Sequence, residues 1–290
     1  MKTKVAFSCN WGLSSKECLE RYSNQTHGSK GIWNNLEGVE NVQDADIIVC
    51  YGPLSENGIH TGLRDIKELD YILKNKHKTI IIRKEPDFIE PWNISDTEFL
   101  QVTDYKNIQH SECEWWVDLP FDKLIELPYF QKSSKISMIS TTKWQHRNKL
   151  VLDLDNILGN KLDLFGRGWN SDMNLSLNFK GELPNLAKDP GIYDYEYSVA
   201  IENSSQFNYF TEKIVDCMLL WSIPIYWGCP NIQAYFPENS YRLIDLNNPE
   251  EIVEILNKPI EDKDINALKE ARNLILNKYN VWALVENVIK

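Results

Sequence analysis

Short apolar runs of strand length alternate with helically spaced apolar positions along most of this chain. Lys4–Ser8, Asp46–Tyr51 and Thr79–Arg83 are such runs, and the two longer ones do not alternate, as expected of parallel strands covered on both faces. Between the last two, Gly62–Lys74 sets Leu63, Ile66, Leu69 and Leu73 at helical spacing, so strand, helix and strand read as a βαβ unit. Gly28 to Gly38 and the proline-containing Glu85–Ser95 read as loops. A second series opens near Lys135, with strands predicted at Ile136–Ser140, Leu162–Gly166, Tyr197–Glu202, Ile223–Trp227 and Tyr241–Asp245. Its helices fall at Arg147–Leu158, after Thr211, and at Pro249–Asn257. A helical pattern from Ile265 to Ile289 closes the chain, with a bend marked by Tyr279, Asn280 and Trp282. Two αβ series in tandem predict an α/β protein of two Rossmann-like domains facing across a cleft, at residues 1–132 and 133–290.

The densest chemical signal runs from Tyr197 to Asn231. Ile214, Cys217, Met218 and Trp221 recur at i, i+3, i+4 and i+7, Thr211 is a good N-cap, and Pro224 ends the helix. Lys213 therefore lies in the first turn, where unpaired N–H groups and the macrodipole are already positive. A cation there costs about 0.3–1 kcal/mol unless an anion sits against it. Such a helix start with a lysine aimed into it suits a phosphate; the alternative is a solvated lysine on a capped core helix. In open α/β sheets ligands bind outside the carboxyl ends of strands. Gly166-Arg167-Gly168 and Glu202-Asn203-Ser204 both follow predicted strands, so both are candidates to line one crevice.

Composition narrows the partners. The chain has 290 residues, long for one ordinary domain and comfortable for two. A net charge of −11 argues against nucleic acid, which needs a basic face, and against anionic lipid. No early apolar run is long enough for a signal peptide or a membrane span. The six cysteines form no C-x-x-C pair and read as reduced, which fits a cytoplasmic protein. The five histidines show no metal-ligand spacing, and Asp44-Ala45-Asp46 reads as a strand entry rather than a metal loop. No metal and no cofactor are expected.

Glu202-Asn203-Ser204, then Tyr209-Phe210-Thr211-Glu212-Lys213-Ile214, then Pro224-Ile225-Tyr226-Trp227-Gly228 resembles the donor-binding signature of the α1,3-fucosyltransferases, glycosyltransferase family 10. Lys135–Ser140, Arg147–Leu150 and Asp163–Gly168 are similar to further family segments, in order. The resemblance implies the type-B glycosyltransferase fold, with the final helix (about 265–290) packing partly back on the N-terminal domain. It implies GDP-β-L-fucose as donor, a glycan hydroxyl as acceptor, and inverting α1,3-type transfer without a metal. Lys213 and Arg167 match the basic residues that meet the diphosphate, and Glu212 matches the carboxylate that holds the ribose hydroxyls. Asn203 and Tyr209 match positions near the diphosphate and sugar. Glu85, in Glu85-Pro86 after a buried-looking strand, resembles the catalytic base, with Asp87 and Glu90 as alternatives in the same loop. Animal and plant members carry a membrane anchor, so the chain reads as a bacterial or viral form or a truncated one.

Two departures stand out. Most members have a small residue, often glycine, where this chain has Trp221, and the N-terminal domain is too diverged to carry over acceptor residues. Asn10-Trp11-Gly12, Tyr51-Gly52-Pro53 and Trp115-Trp116 are candidates for stacking on sugars, each with a structural alternative. Two other readings are a glycosyltransferase using a different nucleotide sugar and a catalytically silent nucleotide-sugar- or glycan-binding relative.

Overall fold

The computed structural model describes residues 1–9, 13–52, 66–83, 98–103, 115–169, 174–184 and 187–290. The chain divides into two units. The first gathers residues 1–112, 119–126 and 276–290, and the second residues 113–118 and 127–275. Each is α/β with one mostly parallel sheet.

The first unit runs β1 (Thr3–Cys9), α1 (Ser15–Ser23), β2 (Ile32–Trp33), β3 (Leu36–Gly38), β4 (Ile47–Tyr51), α2 (Ile66–Lys74), β5 (Thr79–Ile82), β6 (Gln101–Thr103) and α3 (Phe121–Glu126). Its sheet order is β2-β3-β1-β4-β5-β6, parallel except for the β2–β3 hairpin. That hairpin lies in the segment expected to be loop. Thr79 to Ile82 is buried at every position, as a strand covered on both faces requires. Asp46 is the strand entry expected of it, since its carboxylate accepts the Lys4 amide at 2.9 Å.

The closing helical pattern is two helices, α7 (Asp262–Asn277) and α8 (Val281–Ile289), divided by Asn280, whose side chain caps α8 by accepting the Ala283 amide at 2.9 Å. Within the first unit α8 contributes Val281, Trp282, Leu284 and Val285 to a core with Phe7, Tyr22 and Tyr51. The fully buried Trp282 indole donates to the Tyr22 carbonyl at 2.9 Å and meets Phe7 edge-on at 5.0 Å.

The second unit runs β7 (Ser134–Ile139), α4 (Gln145–Leu158), β8 (Leu162–Phe165), β9 (Asn178–Gly181), β10 (Tyr195–Ile201), α5 (Glu212–Leu219), β11 (Ile223–Trp227), β12 (Arg242–Leu243), α6 (Glu251–Asn257) and α7 as far as Ile275. Its sheet order is β12-β11-β10-β7-β8-β9, parallel throughout. The chain enters at β7, builds outward through β8 and β9, then returns to β10 on the other side of β7. That reversal makes the carboxyl ends of β7 and β10 the topological switch point, where open sheets of this kind take ligands. Among the described residues no helix is long and apolar enough to cross a membrane. The five described cysteines are buried and form no disulfide.

Candidate functional site

Two loops leave the switch point. One follows β7 and enters α4 at Gln145; the other follows β10 and enters α5 at Glu212. They are tied together across the crevice: the Arg147 guanidinium donates to Asn203 Oδ1 at 2.6 Å, and His146 Nε2 stands 3.0 Å from the Glu202 carbonyl. The His146 ring lies 5.4 Å from that of Trp227, at the carboxyl end of β11.

Glu202 organises the start of α5. Its fully buried carboxylate accepts the Thr211 amide at 2.9 Å and the Thr211 hydroxyl at 2.7 Å. Burial raises its pKa, with Lys213 pulling the other way. A side chain at Gly228 would put its Cβ 2.4 Å from Glu202 Cγ, so the turn after β11 must come this close without one. The loop between β10 and α5 is clamped from the same turn. Asn231 Oδ1 accepts the Asn208 amide at 2.8 Å, and Asn231 Nδ2 donates to Asn208 Oδ1 at 2.8 Å. Asn208 has φ +64°, a conformation asparagine tolerates better than most residues.

Lys213 does lie in the first turn of α5, and its anion is supplied by the protein. Its ammonium is 3.0 Å from Thr211 Oγ1, 3.2 Å from Glu212 Oε1 and 3.5 Å from Glu202 Oε2. The Thr211 and Lys213 amides, expected to serve a ligand, are instead engaged by Glu202 and by the Thr211 hydroxyl. Glu212 is held from a second side, by Lys188 at 3.0 Å. Lys188 also approaches the buried Asp216, whose Oδ1 accepts the Trp116 amide at 2.8 Å. Burial drives the Asp216 carboxyl up to about 7. Burial pulls Lys188 down, but Glu212 and Asp216 more than offset it, so its pKa is raised.

Arg167 sits in the turn after β8 with an exposed side chain, 3.5 Å from Glu182. The flanking glycines have φ +132° and +85° and touch Ser140 and Thr142 of the loop after β7, which sets Arg167 beside the switch point through its backbone. The Thr142 amide donates to the Arg167 carbonyl at 3.2 Å. Asn203 is buried against Arg147. Tyr209 is 2% exposed, so its ring backs the loop rather than offering a face to a ligand. Glu85, Asp87 and Glu90 lie outside the described residues, as do Asn10-Trp11-Gly12 and Pro53. Tyr51 and Trp115 are buried, and the Trp116 ring lies 5.4 Å from the Lys188 ammonium. Among the described residues no group of three or more His, Cys, Asp or Glu is arranged to hold a metal ion.

Glu202 and Arg147 stood in family-like segments of the sequence without a contact assigned to either, and Lys188 and Asp216 had no role there. Arg147 carried a readable signal, a cation in the first turn of a helix that starts at a strand's carboxyl end, as Lys213 does. Lys188 carried none, because its partner is remote in sequence.

Residues 130–267 match the profile described as glycosyltransferase family 10 (fucosyltransferase), C-terminal. The chain is similar to α-(1,3)-fucosyltransferase B of Drosophila melanogaster, with 36% identity over 99 residues, 32% of this chain and 22% of that protein. The match thus spans about a fifth of that relative's length. Among solved structures, an α1,3-fucosyltransferase with GDP-fucose superposes with a TM-score of 0.52 at 13% identity, covering 100% of this chain and 90% of that one. An α-glucosyltransferase in complex with UDP and DNA superposes with a TM-score of 0.64 at 11% identity, covering 100% of both chains. The fold is that of the type-B glycosyltransferases.

Proposed function

We propose, from the match of residues 130–267 to the profile of glycosyltransferase family 10, the fucosyltransferases, that this chain transfers L-fucose from GDP-β-L-fucose to a glycan hydroxyl. One observation carries the reading. Within the profile-matched residues, Glu212 and Lys213 open the helix that follows β10 at the switch point, and Arg147 of α4 holds Asn203 in the loop leading into that helix. Transfer with inversion turns the β-linked donor into an α-linked, α1,3-type product. The acceptor oxygen bonds to the fucose anomeric carbon, the bond from that carbon to the diphosphate breaks, and the acceptor's proton goes to a carboxylate.

Departure loads the diphosphate with negative charge, which fixed cations in a water-poor site stabilise. Lys213 and Arg167 serve that purpose, and the planar Arg167 fork suits two phosphate oxygens at once. Lys213 must exchange part of its contact with Glu202 and Glu212 for phosphate, so its charge is held ready by the protein's own carboxylates until the donor arrives. Glu212 accepts from the ribose hydroxyls, Asn203 orients the loop nearest the sugar, and Tyr209 supports that loop from behind. Glu85 is the base. With the charge met by side chains, no metal is needed.

The test is thermal shift with GDP, UDP, CDP and dTDP and their sugars. GDP and GDP-fucose should stabilise the protein, by about 2.7 kcal/mol at a hundred times the dissociation constant, and uridine nucleotides should not. A shift with UDP and none with GDP overturns the fucosyl reading. Transfer abolished by EDTA and restored by manganese overturns the metal-free mechanism.

A further inference from the structure

We propose that Lys188 is a positioning residue for Glu212, holding that carboxylate in the orientation a ribose diol requires; this rests on the donor reading above. Lys188 arrives from a loop before β10, and its ammonium lies 3.0 Å from Glu212 Oε1 and 3.5 Å from Asp216 Oδ2, one helical turn further along α5. Its own backbone is fixed at the same point. The Lys188 amide donates to the Trp116 carbonyl at 3.0 Å, and the Trp116 amide returns a bond to Asp216 at 2.8 Å. The next residue repeats the pattern, Asp189 accepting the Asp118 amide at 2.7 Å. The lysine therefore projects from a clasp of two chain segments onto the first turn of α5.

Neutralising the buried Asp216 alone would not produce this geometry, because the ammonium stands nearer Glu212 than Asp216. Lys213 reaches the same Glu212 oxygen from the other side, at 3.2 Å. Two cations meeting on one oxygen restrict a side chain that otherwise has three rotatable bonds. A freely rotating glutamate would have to be ordered when the donor binds, and a pre-ordered one would not. The raised Lys188 pKa keeps the bridge charged at neutral pH.

The experiment compares the affinities of GDP and 2′-deoxy-GDP, by calorimetry, in the parent protein, Lys188→Met and Lys188→Arg. The parent should prefer GDP by about tenfold or more, as expected for one hydrogen bond to a charged group. Lys188→Met should lose most of that preference while its affinity for 2′-deoxy-GDP changes little, and Lys188→Arg should keep it. A Lys188→Met protein that retains the full preference overturns the positioning role and leaves the donor reading intact. A parent without any preference removes the ribose role of Glu212, and the proposal falls with it. If Lys188→Met gives no cooperative melt, the double variant Lys188→Met with Asp216→Asn, which removes the buried carboxylate left without its cation, is read in the same way.

Discussion

Replacing Gly166 by alanine should cost far more than a methyl group in a surface turn suggests. The new Cβ would lie 1.7 Å from the Ser140 carbonyl oxygen, and the backbone there has φ +132°. Two backbone segments must separate by more than an ångström. Ser140 is bonded on both sides, its amide donating to the Phe165 carbonyl at 2.9 Å and its carbonyl accepting from the Trp169 indole at 3.0 Å. Backbone strain of about 1–3 kcal/mol and two weakened hydrogen bonds at about 1 kcal/mol each give roughly 3–5 kcal/mol. That is a large part of a typical domain's stability of about 5–15 kcal/mol. Gly168 is the internal control. Its Cβ would meet Thr142 Oγ1 at 2.1 Å, a side-chain atom that Thr142→Ala removes. Urea unfolding of Gly166→Ala, Gly168→Ala, Thr142→Ala and the two double variants measures both. Thr142→Ala should rescue the steric part of Gly168→Ala and nothing of Gly166→Ala. A Gly166→Ala protein within about 1 kcal/mol of the parent, a typical point-mutant effect, or equal rescue of both, refutes the reasoning.

Arg167→Ala and Lys213→Ala should each weaken GDP binding by about 1.5–3 kcal/mol, the worth of a charge-assisted hydrogen bond. They should differ in melting temperature, because Arg167 is largely exposed whereas removing Lys213 strips the counterion from Glu202 and Glu212; near-normal GDP affinity in both variants sinks the donor clamp. Asp216→Asn should alter the pH dependence of stability in one direction. The Asp216 pKa rises from 3.8 to about 7 on folding, so its contribution is complete below pH 3.8 and is lost as pH rises toward 7. Relative to the parent, Asp216→Asn should gain stability between pH 4 and 7, at a slope of at most about 1.4 kcal/mol per pH unit, and stay level above. A relative loss over that interval would contradict the shift.

The first sheet was legible because β4 and β5 are nearly uninterrupted apolar runs, and α5 was legible because its period and its cap agree. Its end was not: Trp221 closes the helix, and Pro224 lies within β11. The β2–β3 hairpin was not, since strands of two and three residues carry no periodicity. The helix α1 could have been found. Ser14 and Glu17 form a capping box, the Glu17 carboxylate accepting the Ser14 amide at 2.7 Å, and S-x-x-E is written in the sequence. At the site, Glu212 and Lys213 stand in one contiguous motif, whereas Arg167 comes from a separate Gly-Arg-Gly turn. The ion pairs of Lys188 with Glu212 and of Arg242 with Asp264 join segments whose spacing encodes nothing, so only the folded chain brings them together.

Trp221 shows how a departure from family pattern acquires a physical meaning once the backbone is known. After α5 the Trp221 amide donates to Met218 at 3.1 Å and the Ser222 amide to Cys217 at 3.0 Å, the pattern of a helix end closed by a left-handed residue. That residue is Trp221, at φ +60°, where glycine would be unstrained. A bulky side chain there costs on the order of 1–2 kcal/mol. The indole recovers this by donating to the Leu127 carbonyl at 2.8 Å, meeting Tyr129 edge-on at 5.7 Å and lying 4.3 Å from the buried Arg272 guanidinium. The two ends of this eight-residue helix therefore answer to different demands. Its first turn, Thr211-Glu212-Lys213, is committed to an ionic cluster with Glu202 and Lys188. Its last turn accepts a tryptophan because local packing compensates for the backbone it occupies.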